Sequence, residues 1–92
     1  MRWEDLNDVN LGRVSVLEVG VGEPVWYWRP VARVVPHGDG YRVELWTLDD
    51  ERRWQPVAVS DEDGRPVVWP TRYGARKAAE LEVAARPERA VQ

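Results

Sequence analysis

Tyr41-Arg42-Val43-Glu44-Leu45-Trp46-Thr47-Leu48 changes chemistry at every step. Tyr41, Val43, Leu45 and Thr47 fall on one side of an extended chain, and Arg42, Glu44, Trp46 and Leu48 on the other. A period of two predicts a strand with one face against a core. Turn signals bound it on both sides: Pro36-His37-Gly38-Asp39-Gly40 before, and the polar hairpin loop Asp49-Asp50-Glu51-Arg52 after.

Working back from this strand, residues 25–35 form the longest apolar run. Trp26 and Trp28 share one of its faces, while Val25, Tyr27 and Arg29 share the other. Pro30 lacks a ladder donor, which predicts an edge position or a bend there. Gly20-Val21-Gly22-Glu23-Pro24 is a turn, and residues 13–19 alternate as a further strand, with Val14 and Val16 on one face. Residues 1–12 are polar and acidic. Trp3, Leu6, Val9 and Leu11 recur there at near-helical spacing, so a short helical turn or an irregular arm is expected.

Working forward, residues 53–60 read as a strand with Val57 and Val59 opposed to Trp54 and Ala58. Pro56 predicts an edge or a bulge. Asp61-Glu62-Asp63-Gly64 is a tight turn with glycine placed for a left-handed residue, and residues 66–69 would be a short last strand. Beyond them the period becomes 3.6. Thr71 is a good N-cap, and Ala75, Ala78, Leu81 and Ala85 line one side of a helix that Pro87 would stop.

These elements predict one α+β domain over residues 1–92: an arm (1–12), an antiparallel sheet (13–70), a helix (71–86) and a frayed tail (87–92). The sheet would be bent, of about five strands, with the C-terminal helix packed on one face. A small five-stranded barrel capped by the helix is the alternative, because two prolines in mid-strand favour bending.

Composition narrows the function classes. The chain has six tryptophans, no phenylalanine and no cysteine in 92 residues. A large aromatic buries 150–250 Å², so a few would complete a small core and the rest would lie on the surface, where tryptophan is a favoured interface anchor. Lack of cysteine excludes disulfides and thiolate zinc sites, and suits the cytoplasm. No stretch of 18 apolar residues predicts a membrane span. The net charge is −3, and of 13 basic residues only Lys77 is lysine. Codon bias in a GC-rich genome is the simplest source of so much arginine. Mild acidity argues against unspecific nucleic-acid binding, which rests on phosphate neutralisation.

Motifs for chemistry are sparse. His37, the one histidine, sits in a turn with no second histidine to help it bind metal. Ser15 and Ser60 lack a neighbouring base or a nucleophile-elbow context. Asp61, Glu62 and Asp63 are followed by Gly64, Arg65 and Pro66, which does not continue a calcium loop. Gly20-Val21-Gly22 is a weak match to a phosphate loop, since it precedes a strand rather than a helix and no Gly-Lys-Ser/Thr follows. The positive signal is the interleaving of aromatics with arginines: Trp26, Trp28, Arg29 and Arg33 on one strand, Arg42 and Trp46 on the next, Arg53 and Trp54 on the one after. Such a face suits a protein interface, and it can also stack bases and hold phosphates.

Trp54, the Asp63-Gly64-Arg65 turn, Thr71 and Ala75, Ala78 and Ala79 resemble the end of the small strand-strand-strand-helix modules of phage and mobile-element proteins. The arm-binding N-terminal domain of tyrosine recombinases has this layout. The resemblance spans residues 41–86 and implies a sheet that enters the DNA major groove. The chain departs from it by two extra N-terminal strands and by charge: residues 41–86 hold eight basic and nine acidic side chains where a DNA-binding sheet is basic.

The expected function is a non-enzymatic protein-binding module without a cofactor, a small acidic phage or mobile-element accessory protein that could inhibit a host defence complex. Its binding residues would be Trp26, Trp28, Arg29, Arg33, Arg42, Trp46, Arg53 and Trp54, and its partner another protein or its own copy. Nucleic-acid binding through the same sheet is the alternative.

Overall fold

The computed structural model describes residues 1–86. Five strands run in chain order, β1 (Arg2–Asp8), β2 (Gly12–Val21), β3 (Tyr27–His37), β4 (Gly40–Leu48) and β5 (Trp54–Ala58), followed by α1 (Arg72–Ala84). They form one antiparallel sheet in the order β1-β2-β3-β4-β5. Each strand pairs with its neighbours in sequence, which the short connections favour. The sheet is open: β1 and β5 are its two edges, and the barrel alternative does not hold.

The number of strands is as expected, but their membership differs at both ends. Residues 2–8 are an edge strand, not a helical turn or loose arm. Pairing against β2 from Arg2↔Glu18 to Asp8↔Gly12 imposes the extended form. Residues 66–69 are not a strand; they make the isolated bridges Ser60↔Pro66 and Tyr41↔Trp69, with the Val67 N–H donating to the Val59 carbonyl between them. The expected stop at Pro87 and the frayed tail over residues 87–92 lie outside the described residues.

Pro30 sits in the central strand, where a proline needs a special arrangement. The register jumps from Leu17↔Ala32 to Glu18↔Pro30, leaving Val31 as the extra residue of a bulge. The missing proline donor therefore falls where the ladder is already interrupted. Pro56 lies on edge strand β5, where no partner needs its absent N–H on the outer side.

Alternation sends one set of side chains under the helix. Leu17, Val19, Val31, Ala32, Val34, Val43 and Leu45 pack there against Ala75, Ala79 and Val83. The helix rests on β3 and β4, and its small alanines let it approach closely. The buried stripe steps by four residues, through 75, 79 and 83, so Leu81 lies outside it and is largely exposed. Thr71 caps the helix as expected, its Oγ1 accepting from the Gly74 N–H at 3.0 Å.

At the start of β4 the chain leading into the helix crosses closely. Tyr41 and Trp69 exchange backbone hydrogen bonds, both 2.8 Å. A Cβ at Gly40 would lie 2.5 Å from the Trp69 carbonyl oxygen, so only glycine fits.

Candidate functional site

The face of the sheet away from the helix carries Arg33, Arg42 and Trp46 at mid-sheet, whereas Arg29 pairs with Val19 and so lies on the helix side. The register carries Arg2, Glu4, Leu6 and Asp8 of β1 onto the same side as Val14, Val16 and Glu18 of β2. Arg33 and Val35 of β3 and Arg42, Glu44 and Trp46 of β4 follow on that side. Its floor is a second, smaller apolar cluster of Val14, Val16 and Val35 with Leu11 against it. A groove of about 340 Å³ runs over this floor, lined on the β1–β2 side by Glu4, Leu6, Asp8 and Glu18 and opposite by Pro30, Arg33 and Trp46.

Most of the arginines are already engaged. Glu44, nearly buried, accepts from Arg33 Nε at 2.5 Å and from Arg42 Nε at 2.8 Å. Burial pushes the Glu44 carboxyl up, but the hydrogen bonds from Arg42 and Arg33 outweigh it and hold it below its ordinary value. Arg42 also reaches His37 Nδ1 at 3.2 Å, so His37 is a half-buried partner of that arginine and not a free turn residue. Arg33 lies over the Trp46 ring at 5.4 Å. Arg2 lies over Trp28 at 4.3 Å while bonding Glu18 at 2.9 Å. Arg29 lies over Trp54 at 4.4 Å, with Nη1 buried and without a hydrogen-bond partner. Arg53 bridges Glu51 at 2.8 Å and Asp49 at 3.4 Å. Stacks of this kind are worth about 0.5–2 kcal/mol each.

The expected residues therefore divide into two groups. Arg33, Arg42 and Trp46 meet at mid-sheet around Glu44. Trp26, Trp28, Arg29, Arg53 and Trp54 gather at one end, because the β2–β3 and β4–β5 turns both lie there. Trp26 departs from its expected place on the strand face beside Trp28. Strand β3 begins at Tyr27, and Trp26 belongs to the preceding turn, its N–H donating to the Val21 carbonyl at 3.1 Å. The turn holds its ring over Gly22, where an added Cβ would overlap it, and edge-on to Tyr27 with centroids 4.6 Å apart. Trp26 is 76% exposed and Trp54 39%; Val25, Tyr27 and Leu48 at the same end are also exposed.

A second polar cluster, beneath the helix, escaped the sequence reading. Ser15 is fully buried. Its hydroxyl donates to Asp5 Oδ1 at 2.6 Å and accepts from Arg72 Nη1 at 2.9 Å and Arg76 Nη2 at 3.1 Å. Asp5 also accepts from Arg13 and Arg76, each at 2.8 Å. The Ser15 hydrogen bond, then that of Arg13, lowers the Asp5 carboxyl to about 2. Beside this network Trp3 Nε1 donates to Glu80 Oε2 at 2.9 Å, and Arg76 lies over the Trp3 ring. These bonds tie β1 and β2 to the helix. The signal for them was Ser15 itself, a hydroxyl in the inward series with Leu17 and Val19, which must find partners when buried.

Among the described residues no three His, Asp or Glu side chains converge as a metal site, and no helix is long and apolar enough to cross a membrane. Comparison with protein-family models, curated proteins and solved structures gave no match.

Proposed function

We propose that this domain is a non-enzymatic protein-binding module that docks through its helix-free face, with the aromatic end as the anchor. The observation that carries this reading is the exposed group Val25, Trp26, Tyr27, Leu48 and Trp54 at one end of the sheet. Large apolar side chains gathered on a surface gain most by being covered, and tryptophan and tyrosine dominate the binding energy of interfaces. The partner is another protein or a second copy of the chain. A cytoplasmic setting suits the lack of cysteine. The small size and acidic charge favour a phage or mobile-element accessory role, with inhibition of a host complex as the activity to look for; the three-strand layout of the resemblance lends no support, because residues 41–86 hold two strands and the helix.

Nucleic acid is the weaker reading because of how the arginines are used. Arg33 and Arg42 share Glu44, Arg53 is held by Asp49 and Glu51, and Arg2 by Glu18. Phosphate binding would require exchanging those partners, with little net gain of charge neutralisation.

Light scattering on the eluting protein, combined with acrylamide quenching of wild type and Trp26→Phe, tests the surface reading. A monomer should show a strongly quenched component that Trp26→Phe removes; a dimer should show that component protected. A monomer in which Trp26 is quenched no more than the average tryptophan would refute the exposed anchor. Salt-sensitive retardation of DNA or RNA at low salt would favour the nucleic-acid reading instead.

A further inference from the structure

The groove beside β1 has an open edge of a particular chemistry. β1 is an edge strand of seven residues without proline, and every residue except Trp3 is exposed. Its inner side is paired with β2. Beyond that ladder no backbone hydrogen bond of β1 occurs among the described residues, so the outward N–H and C=O groups can template another strand. On the groove side the edge presents Glu4, Leu6 and Asp8 in succession. Glu4 has only a 3.7 Å contact with Arg2, and Asp8 bonds only the backbone N–H groups of Asn10 and Leu11. Leu6, 49% exposed, stands between them over Val14. On the other side of the strand Asp5 is already held by Arg13, Arg76 and Ser15.

Resting on the reading of the domain as a protein-binding module, we propose that the β1 edge receives an extended basic segment of the partner protein as a sixth strand. The pattern it fits is basic-x-apolar-x-basic. Residues on one face of a strand recur every second position. Cross-strand neighbours of Glu4 and Asp8 are therefore four apart, with the neighbour of Leu6 midway. Opposite charges across from Glu4 and Asp8 are favourable, and an aliphatic side chain across from Leu6 closes the apolar groove over Val14 and Val16. The pattern is symmetric, so it serves a parallel or an antiparallel partner strand equally.

The test uses a fluorescein-labelled peptide with the core Lys-Thr-Val-Thr-Lys, its counterpart Glu-Thr-Val-Thr-Glu, and the full chain. Anisotropy at low salt should show the lysine peptide binding at least about fivefold more tightly than the glutamate one, since each cross-strand charge pair contributes up to about fivefold. Glu4→Lys/Asp8→Asn should reverse that preference. Asparagine keeps a side-chain oxygen for the Asn10 and Leu11 caps, so the variant should keep its fold, as circular dichroism will show. Amide shifts in the wild-type complex should fall on β1. Equal affinity for the two peptides, a preference unchanged in the variant, or shifts confined to the aromatic end would each overturn the proposal. If the peptides fail while a partner is still lost on truncating Trp26 and Trp54, the edge-strand proposal falls and the aromatic anchor stands.

Discussion

Removing one hydroxyl, by Ser15→Ala, should destabilise the fold by about 2 kcal/mol. The Ser15 hydroxyl makes three hydrogen bonds, all to charged groups. Such bonds are worth about 1.5–3 kcal/mol each. The sum does not apply, because each partner retains another bond. Asp5 keeps Arg13 and Arg76, Arg76 keeps Asp5, and Arg72 keeps the Arg13 carbonyl. The loss is thus near that of a single charged hydrogen bond, and alanine fits the space without strain. For a chain of this size about 2 kcal/mol lowers Tm by about 8–16 °C.

The same variant makes a statement about pH. Asp5 titrates near 2 in the folded protein against an ordinary 3.8. A depressed carboxyl stabilises the fold above its ordinary value and loses that contribution as pH falls through the folded value. The carboxylate is about a third exposed, so screening reduces the contribution to about 1 kcal/mol. Ser15 supplies the largest part of the depression. The stability gap between wild type and Ser15→Ala should therefore be full at pH 7 and narrow between pH 4 and 2. Urea unfolding followed by tryptophan fluorescence at pH 7, 4 and 2 measures it. A gap below about 0.5 kcal/mol at pH 7, or one that does not change with pH, would refute the assigned network.

Three further substitutions probe other parts of the fold. Arg52 lies at φ +62° in the loop from Asp49 to Arg53, the place Gly64 takes at φ +81° in the matching loop from Asp61 to Arg65. In both, the first aspartate accepts two backbone N–H groups of its loop. Arg52→Gly should therefore raise stability by up to about 1 kcal/mol in thermal unfolding; a loss of that size would contradict the backbone assignment. Gly40→Ala should lower it by about 1–3 kcal/mol, because the new methyl meets the Trp69 carbonyl, and a neutral result would mean that this crossing yields. Glu44→Gln leaves Arg33 and Arg42 facing each other without a countercharge and should destabilise by about 2 kcal/mol in urea. No change there would mean that solvent, not Glu44, balances the two arginines.

How far the fold was legible depends on where each element gets its stability. β4 announces itself because its two faces meet different surroundings, Val43 and Leu45 under the helix and Arg42, Glu44 and Trp46 on the other side. β1 does not, because an edge strand with little apolar content carries no clear period. Its only large apolar residues, Trp3 and Leu6, are three apart, which mimics a helix, and the strand is imposed by β2. The helix face shifted from Leu81 to Ala79 and Val83 because alanine is apolar enough to fit several stripes and tertiary packing selects one. Alternation alone put Arg42 and Trp46 on one face; Arg33 joins them through the cross-strand register Arg33↔Glu44. The Arg29 stack on Trp54 joins β3 to β5 across the intervening β4, which no local pattern encodes, and Trp26 left its expected face because the turn extends to it.

The proposed docking surface is tested most directly by affinity capture with three baits: wild type, Trp26→Ala/Trp54→Ala, and Arg65→Ala as a control on a remote turn. Trp26 is largely exposed, whereas Trp54 gives up its stack with Arg29, so the double variant should remain folded with a thermal midpoint lowered by several degrees. The expected result is a protein held by wild type and Arg65→Ala and lost by the double variant, with direct titration showing at least about 2 kcal/mol of lost binding. The same proteins retained by all three baits, at equal affinity, would contradict an aromatic anchor at this end of the sheet.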